Sequence, residues 1–277
     1  MPELPEVETI KRQLKKNLVG KKVLDVKINL AKMVNLPIKI FVSKVIGAKI
    51  LDVKRRAKIL IFDLDNHWHI LVHLKMTGQL VLSIEQETDL SDRRHSHIVY
   101  HFDDQTKLYH NDLRQFGWEK LLTSQELAAY WQKEKLGPEP LDKDFTLKLL
   151  TEILAVRPRS LIKPLLMDQK AVSGIGNIYA DEILFVAGVL PTRRAENLTK
   201  LEIKQIYQAI KEILKKALDK HGTSVDNYRD AFGRRGGYIP YLLVYSREGQ
   251  ACNGCGGKVM RQKLRGRSAH YCPKCQV

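Results

Sequence analysis

The chain has 277 residues, of which 44% are hydrophobic and 28% charged, and its formal net charge at pH 7 is +16. No apolar run approaches the roughly 20 residues that a membrane-spanning helix needs, so the composition excludes an integral membrane protein and is typical of a soluble protein with more than one domain. A positive charge of this size indicates a polyanionic partner. Nucleic acid is favoured over an anionic membrane surface, because no basic amphipathic helix dominates.

The first fourteen residues, MPELPEVETIKRQL, have the features of a helix start and none of a targeting signal. Pro5 suits the first turn of a helix, and Glu6 and Glu8 suit the positive end of its dipole. Pro2 follows the initiator methionine, so removal of Met1 would leave a secondary amine next to Glu3. An α-amino group has an unperturbed pKa of about 8 and could attack an aldehyde-level carbon to give an iminium. From these residues alone, a capped surface helix and an amine nucleophile both remain open.

Roughly alternating β-branched segments follow the first helix and predict an antiparallel β-domain over the first 130 residues. These segments are residues 21–30, 45–64, 67–75, 97–103 and 106–110. A Gly/Pro-containing stretch at 136–142 predicts a linker, after which apolar residues recur at helical spacing. The predicted helices are residues 144–155, 160–169, 178–187 and 199–220, and residues 222–249 are predicted to form a mobile loop that enters a strand.

All four cysteines lie near the C-terminus in two CxxC pairs, Cys252/Cys255 and Cys272/Cys275. Two such pairs at hairpin spacing predict one structural Zn²⁺ per chain bound by four thiolates, with no open position for water. The residues between the pairs include five Lys and Arg and no acid, so the hairpin is expected to contact phosphates. With no secretion signal, a reducing cytoplasm is expected.

Three further motifs have both an ordinary and a functional interpretation. Gly174 and Gly176 precede Asn177, a good helix N-cap, and such a helix start can bind a phosphate. Lys58 lies in a strand pattern, where it is either on the solvated face or available to a phosphate or a proton transfer. Met76 lies in a turn after a strand, and Arg114 and Phe116 are two residues apart, so on an extended chain they point the same way. Exposed together, such side chains suit insertion into a base stack.

Six motifs occur in the chain in the order in which one enzyme family has them: Pro2–Thr9, Arg55–Lys58, His73–Gly78, Asp112–Gly117, Gly174–Glu182 and Tyr271–Gln276. In these motifs, and along its whole length, the chain resembles formamidopyrimidine-DNA glycosylase, a bacterial base-excision repair enzyme. The resemblance implies an α+β multidomain fold: a β-sandwich with an N-terminal helix, a helix–two-turns–helix domain and a C-terminal zinc-finger β-hairpin, with damaged double-stranded DNA in the cleft between the halves. The expected boundaries are 2–133 for the catalytic sandwich, 134–143 for the linker, 144–221 for the helical domain, 222–250 for a lesion-capping loop and connecting strand, and 251–277 for the zinc finger.

The resemblance also implies a mechanism and a set of site residues. Pro2 attacks C1′ of an extruded nucleotide, expels an oxidised purine and forms a Schiff base, with Glu3 as proton donor and Glu6 as a neighbouring carboxylate. Elimination of the 3′ and then the 5′ phosphate follows, assisted by Lys58 and then by Arg267. The residues implied to contact DNA are Met76, Arg114 and Phe116, which fill the vacated stack, and His73, His95, Arg159, Lys163, Asn177 and Tyr245, which lie near phosphates.

The chain departs from the family pattern at Ser96, where an aspartate is usual, and at Asn227, where a basic residue is common. The loop at 230–240 carries additional arginines, so these departures affect lesion preference rather than fold or chemistry. Two alternatives stay open: an endonuclease VIII-type enzyme for oxidised pyrimidines, against which Leu4 counts because a glycine is typical there, and a non-catalytic DNA-binding relative. Nothing in the sequence requires an oligomer, so a monomer is expected.

Overall fold

The computed structural model of the chain describes residues 1–83, 95–225 and 227–277, and these divide into two compact units. The first unit comprises Met1–Glu134 and Lys220–Gly237, and the second comprises Lys135–Asp219 and Tyr238–Val277. Asp226, within the predicted 222–250 segment, lies outside the described residues. None of the helices in the described parts combines the length and apolar character needed to cross a bilayer.

The first unit is a β-sandwich of two four-stranded antiparallel sheets that follow an N-terminal helix. Its elements are α1 (Leu4–Leu18), β1 (Val23–Ile28), α2 (Ile38–Val45), β2 (Ile50–Arg56), β3 (Ile59–Leu64), β4 (Trp68–His73), β5 (Gly78–Ser83), β6 (Ser96–Phe102), β7 (Lys107–Asp112), β8 (Trp118–Thr123) and α3 (Ser124–Glu134). One sheet has the order β1-β6-β7-β5 and the other β2-β3-β4-β8. The predicted antiparallel β-domain with a leading helix is thereby confirmed.

The core of the sandwich is apolar and includes one face of α1. Val7, Ile10, Leu14 and Leu18 are at most 1% exposed and pack with buried residues of both sheets. Side chains three and four apart lie on one face of a helix, so this spacing places the four side chains together on the buried side of α1. Burying a large aliphatic side chain stabilises a fold by about 1.5–3 kcal/mol, so this stripe fixes the helix firmly.

The second unit begins with helices and ends in a hairpin. Its elements are α4 (Leu147–Val156), α5 (Ile162–Met167), α6 (Asn177–Val186), α7 (Lys200–Asp219), β9 (Met260–Leu264) and β10 (Arg267–Tyr271). The four helices coincide with the four predicted helical segments. β9 and β10 pair antiparallel between the two CxxC motifs, as the spacing predicted.

The segment that follows α7 differs from the prediction in two respects. Residues 220–237 belong to the first unit, because the Thr223 N–H bonds Glu6 of α1 and the Asp230 carboxylate bonds the Gln13 amide of the same helix. The connecting strand predicted within 222–250 is wrong: the described residues there form turns, an isolated bridge between Thr223 and Gly237, and one short 3₁₀ helix, Ile239–Tyr241. The N–H groups of residues 243–245 instead donate to the buried Glu182 carboxylate.

Candidate active site

The tip of α1 is fixed by a buried carboxylate. Glu3 is the N-cap and Glu6 the third helical residue, and each side chain accepts the backbone N–H of the other in a capping box. The Glu3 N–H donates to Glu6 Oε2 at 2.8 Å, while the Thr223 N–H donates to Glu6 Oε1 at 2.7 Å. Pro2 is buried, and Glu3 and Glu6 are 2% and 1% exposed. Pro2 therefore precedes a helix start with little freedom to move.

Gly222 allows the 220–237 segment to approach that carboxylate. Its φ is +82°, and a Cβ at this position would lie 2.6 Å from Glu6 Oε1. Glycine alone adopts this backbone conformation readily and leaves room for the contact. The helix start and a segment more than 200 positions later are thus joined through backbone groups.

Lys58 lies in the tight turn between β2 and β3, rather than inside a strand as its sequence pattern indicated, and it is only 5% exposed. The turn has Ala57 at φ +52°, and Arg55 Nη1 donates to the Ala57 carbonyl at 2.9 Å. Arg55 Nε also donates to Glu8 Oε2 of α1 at 3.0 Å. Burial would raise the pKa of Glu8, but hydrogen bonds from Lys11 and Arg55 outweigh it and lower that pKa, so Glu8 is ionised at pH 7. Arg55 and Glu8 therefore link the turn that bears Lys58 to the helix that Pro2 precedes.

His73, at the end of β4, is a neutral imidazole at pH 7. Burial, reinforced by the positive charges of Lys75 and Lys58, lowers the pKa of His73 to about 3. The Lys75 N–H donates to His73 Nδ1 at 3.0 Å, so Nδ1 is the acceptor and Nε2 carries the proton. The ring lies 5.5 Å from that of Trp118. His73 can thus offer a phosphate a neutral N–H donor and no charge.

The turns that carry Met76 and Arg114 leave the sandwich side by side. His73 pairs with Trp118 in one sheet and Gly78 pairs with Asp112 in the other, so the β4–β5 and β7–β8 turns start and end at neighbouring positions. Met76 is partly exposed near the tip of the first turn.

The second of these turns presents a cation stacked on an aromatic ring. The Arg114 guanidinium lies 4.9 Å from the centre of the Phe116 ring, and Phe116 is 54% exposed. The structure therefore brings together the two side chains that the sequence placed on one side of the chain. An exposed apolar ring with a cation beside it matches the chemistry needed to enter a base stack and read a base edge.

Lys163, which the resemblance places near a phosphate, is buried in an ion pair. It is 1% exposed, its Nζ lies 2.7 Å from Asp181 Oδ1, and it donates to the carbonyl of Ser268 on β10. The other oxygen, Asp181 Oδ2, accepts from the backbone N–H of His270 and contacts its Nδ1, each at 3.0 Å. Tyr245 packs its ring edge-on against His270 at 5.0 Å. Lys163 thereby joins α5 and α6 to the hairpin.

The remaining predicted contacts lie in varied surroundings. Asn177 is the first residue of α6 and Gly176 is its N-cap, so the predicted N-cap is one residue late. Asn177 Oδ1 is buried with no hydrogen-bond partner among the described residues. Arg159 is exposed in the turn after α4, and His95 is half-buried immediately before β6. Ser96, one of the departures from the family pattern, donates its hydroxyl to the side chain of Asn111 at 2.5 Å.

The four cysteines form a group that can bind one metal ion. Their sulfur atoms all lie within 4.8 Å of one another, with Cys252–Cys275 at 3.8 Å and Cys255–Cys272 at 3.5 Å. Four thiolates at the Zn–S distance of about 2.3 Å sit roughly 3.8 Å apart in a tetrahedron, so the donor set fits Zn²⁺. Arg267 begins β10, is exposed, and lines a groove of about 180 Å³ with residues of α5.

Several residues that organise the site were not identified from the sequence. Glu8, Arg55, Thr77, Asp112 and Thr223 all belong to motifs or segments noted above, yet they carry no chemistry themselves. They act as hydrogen-bond partners for residues distant in the chain. A polar residue inside each motif or segment was the only signal in the sequence, and it does not indicate which residue is its hydrogen-bond partner.

Two family models match the chain. The formamidopyrimidine-DNA glycosylase N-terminal domain matches residues 1–118, and the formamidopyrimidine-DNA glycosylase H2TH domain matches residues 136–228. Among curated relatives, the formamidopyrimidine-DNA glycosylase of Heliobacterium modesticaldum is 39% identical over 277 residues and covers 100% of both chains. That of Pelotomaculum thermopropionicum is 40% identical over 277 residues and covers 100% of this chain and 99% of its own.

Solved structures of a homologue agree with the sequence comparison. Lactococcus lactis Fpg in complex with DNA containing an abasic site superposes with a TM-score of 0.91 at 34% identity, covering 99% of each chain. The complex of the same protein with Fapy-dG-containing DNA gives a TM-score of 0.90 at 34% identity and the same coverage.

Proposed function

The chain belongs to the formamidopyrimidine-DNA glycosylase family, and from that premise we propose that it removes oxidised purines from double-stranded DNA and then cuts the strand. Substrates of the proposed reaction are 8-oxoguanine and formamidopyrimidines. The observation that carries the proposal is the buried tip of α1, where Pro2 precedes a carboxylate pair locked in a capping box. A rigid position suits a nucleophilic nitrogen that must approach C1′ of the substrate from one direction.

Base removal uses Pro2 and Glu3. The target nucleotide leaves the stack, because C1′ is inaccessible inside a duplex. After loss of Met1, the neutral Pro2 nitrogen attacks C1′ and gives up its N–H proton to solvent, and the bond from C1′ to the base breaks. The electron pair of that bond leaves with the base, which takes up a proton from solvent. Glu3 gives a proton to O4′ as the sugar ring opens, and an iminium between Pro2 and C1′ remains.

Strand cleavage follows from the iminium, which withdraws electrons from the sugar. Loss of a C2′ proton breaks the bond to the 3′ phosphate, and loss of a C4′ proton then breaks the bond to the 5′ phosphate. Lys58 is proposed to assist the first elimination and Arg267, on the hairpin, the second, as the family resemblance implies. Water then hydrolyses the iminium and restores the Pro2 amine.

The gap in the stack is proposed to be filled by Met76 and Phe116, with Arg114 facing the unpaired cytosine. The stacked arrangement of Arg114 and Phe116 supports this, because it holds a cation and an apolar ring together at an exposed turn. His73, Asn177, Arg159, His95 and Tyr245 are proposed to contact phosphates or their surroundings, while the buried ion pair of Lys163 favours a role in holding the hairpin.

The four cysteines are proposed to bind one structural Zn²⁺ per chain, which suits a reducing cytoplasm. The metal would fix the hairpin that carries Arg267, and no chemical step is assigned to it. Metal analysis of the purified protein should give about one zinc per chain. A clearly lower stoichiometry in protein purified without chelators would contradict the four-thiolate site.

Borohydride trapping on 8-oxoguanine:cytosine DNA tests the central step, because reduction of the iminium leaves a stable covalent adduct. Wild-type protein should form the adduct, Pro2→Gly should form much less because a primary amine replaces the secondary amine, and Pro5→Ala should form it, since it alters the same helix tip but keeps the nucleophile. No adduct with wild-type protein, or an undiminished adduct with Pro2→Gly, would refute the mechanism and favour a non-catalytic DNA-binding relative. Cleavage of thymine-glycol DNA with 8-oxoguanine DNA left intact would favour the endonuclease VIII type instead.

A further inference from the structure

The carboxylate of Asp112 lies between the two turns that leave the sandwich side by side. Asp112 ends β7 and is fully buried. Its Oδ1 accepts the hydroxyl proton of Thr77, the residue after Met76 in the first turn. Its Oδ2 accepts the backbone N–H of Gly117, the residue after Phe116 in the second turn, at 2.6 Å. One carboxylate group therefore holds both turns.

The backbone of Arg114 is part of the same network. Its N–H donates to Thr77 Oγ1 at 2.9 Å and approaches Asp112 Oδ1 at 3.3 Å. The Thr77 hydroxyl thus accepts from Arg114 while it donates to Asp112. Linked hydrogen bonds of this kind polarise and strengthen one another in a buried setting.

Close packing restricts the alternatives open to this network. A Cβ at Gly117 would lie 2.9 Å from Asp112 Oδ2, and a Cβ at Gly78 would lie 2.3 Å from the Leu74 carbonyl oxygen. The carbonyl of Asp112 itself is bonded to His97 Nε2 at 2.9 Å in the core. The acid that holds the turns is therefore anchored on its own backbone as well.

The exposed side chain of Arg114 consequently projects from a fixed backbone. Reading a base edge requires hydrogen-bond geometry accurate to a fraction of an ångström, and a mobile turn would allow the guanidinium to follow different bases. We propose that Thr77 and Asp112 are positioning residues that fix Arg114, and that this Thr77–Asp112 lock sets the preference for the base opposite the lesion. The proposal rests on the proposed function, in which Arg114 faces that base.

Thr77→Val is the first test, because valine keeps the shape of threonine and removes the hydroxyl. Binding is measured by fluorescence anisotropy with duplexes that carry a tetrahydrofuran abasic analogue opposite cytosine or adenine. The variant should lose about tenfold in the ratio of the two affinities, the factor that corresponds to about 1.4 kcal/mol. Cleavage of a single-stranded abasic oligonucleotide should stay within twofold, since that substrate has no opposite base.

Two matched variants separate positioning from general stability. Thr77→Ser keeps the hydroxyl and should restore the wild-type ratio. Tyr100→Phe removes another buried hydrogen bond of the sandwich, that from Tyr100 to Glu119, and should leave the ratio unchanged. If Thr77→Val does not fold, Asp112→Asn is used instead, because an amide side chain cannot accept hydrogen bonds from both turns. Loss of the preference for the base opposite the lesion in this variant supports the lock, and retention of the preference overturns it.

Hydrogen exchange of the wild-type protein provides a measurement that needs no variant. The amides of Arg114 and Gly117 should exchange at least about tenfold more slowly than that of Phe116, whose N–H has no bond within the described residues. Equal exchange at the three positions would overturn the proposal.

The proposal is also overturned if Thr77→Val keeps the wild-type ratio, if Thr77→Ser fails to restore it, or if Tyr100→Phe loses it equally. Equal affinity of the wild-type protein for the two duplexes would have the same consequence. Because the binding measurements need no catalysis, their outcomes can still be interpreted if borohydride trapping gives no adduct. That failure alone would refute the Pro2 mechanism and leave the Thr77–Asp112 lock standing.

Discussion

Replacing Glu6 with glutamine tests whether this carboxylate holds the tip of α1 to the 220–237 segment. In the wild-type protein its two oxygens accept the N–H groups of Glu3 and Thr223 at 2.8 and 2.7 Å. A glutamine side chain of the same size accepts at one oxygen only. Its NH₂ group would face the other N–H, donor against donor.

The cost follows from the burial of these groups. Thr223 is 3% exposed and Glu3 is 2% exposed, so the N–H that loses its acceptor has no access to water. An unsatisfied buried donor costs about 1–3 kcal/mol, and hydrogen bonds to charged groups lie at the upper end of the range of hydrogen-bond strengths. We therefore expect Glu6→Gln to weaken the contact by about 2–3 kcal/mol.

Hydrogen exchange at the Thr223 amide measures this loss directly, and it does not require the two units to unfold as one. A loss of 2–3 kcal/mol corresponds to exchange about 30- to 150-fold faster. Glu8→Gln is the matched control, since Glu8 is also a buried acid of α1 but bonds Lys11, Arg12 and Arg55. It should leave exchange at Thr223 unchanged.

Exchange at Thr223 within twofold of wild type in Glu6→Gln would refute the reasoning, because it would mean that the carboxylate does not hold the segment. An equal acceleration in Glu8→Gln would refute it as well, by showing that any lost acid loosens the whole helix. Slower borohydride trapping in Glu6→Gln, with Glu8→Gln nearer wild type, would extend the result from the segment to the placement of Pro2.

Three further changes have defined outcomes. His73, with its pKa lowered to about 3, stays neutral in the folded protein, so its contribution to stability is complete above pH 6.5 and is lost as the pH falls from 6.5 towards 3. NMR of labelled histidine should show no titration of this ring from pH 8 to 5. A titration midpoint near 6.5 would contradict the burial argument. Gly222→Ala places a Cβ 2.6 Å from Glu6 Oε1 at a φ of +82°, so thermal denaturation should show a clear loss of stability, and an unchanged melting temperature would show that the contact adjusts freely. Cys255→Ser should lower the zinc content and reduce binding to duplex DNA, whereas full metal occupancy in that variant would remove this thiolate from the ligand set.

Much of the fold could be predicted because its pattern is local. The stripe on α1 and the four helices of the second unit follow from helical spacing, and the hairpin follows from the cysteine pairs. Helix α2, Ile38–Val45, was missed because its eight residues are rich in β-branched side chains, which favour strands. The 45–64 segment was predicted as one β region, since the turn at Ala57 contains no glycine, asparagine or aspartate to mark it.

The site was predictable only where its residues carry the chemistry. Pro2, Lys58 and the cysteines stand in motifs whose residue types limit what they can do. The role of Lys163 could not be predicted from its residue type alone. Its side chain is positively charged, but only the fold reveals that Asp181, 18 residues further along, neutralises that charge in a buried pair. The strand predicted around Tyr245 does not form, for the same reason. The Tyr245 N–H donates to the Glu182 carboxylate, which belongs to a different element, α6.

Buried acids explain how a strongly basic protein keeps its reactive turns rigid. Nine Asp and Glu residues are buried in the described parts of the chain, against two lysines. Several of these acids accept backbone N–H groups at the start of a helix or beside a turn, as Glu6 and Asp112 do, and such bonds to charged acceptors are stronger than neutral ones. Because nine acids and only two lysines are buried, the accessible surface of the described residues has a larger excess of basic over acidic side chains than those residues have in total. The same acids therefore order the helix start that follows Pro2 and the turn that carries Arg114, and they leave an outer surface suited to a polyanion.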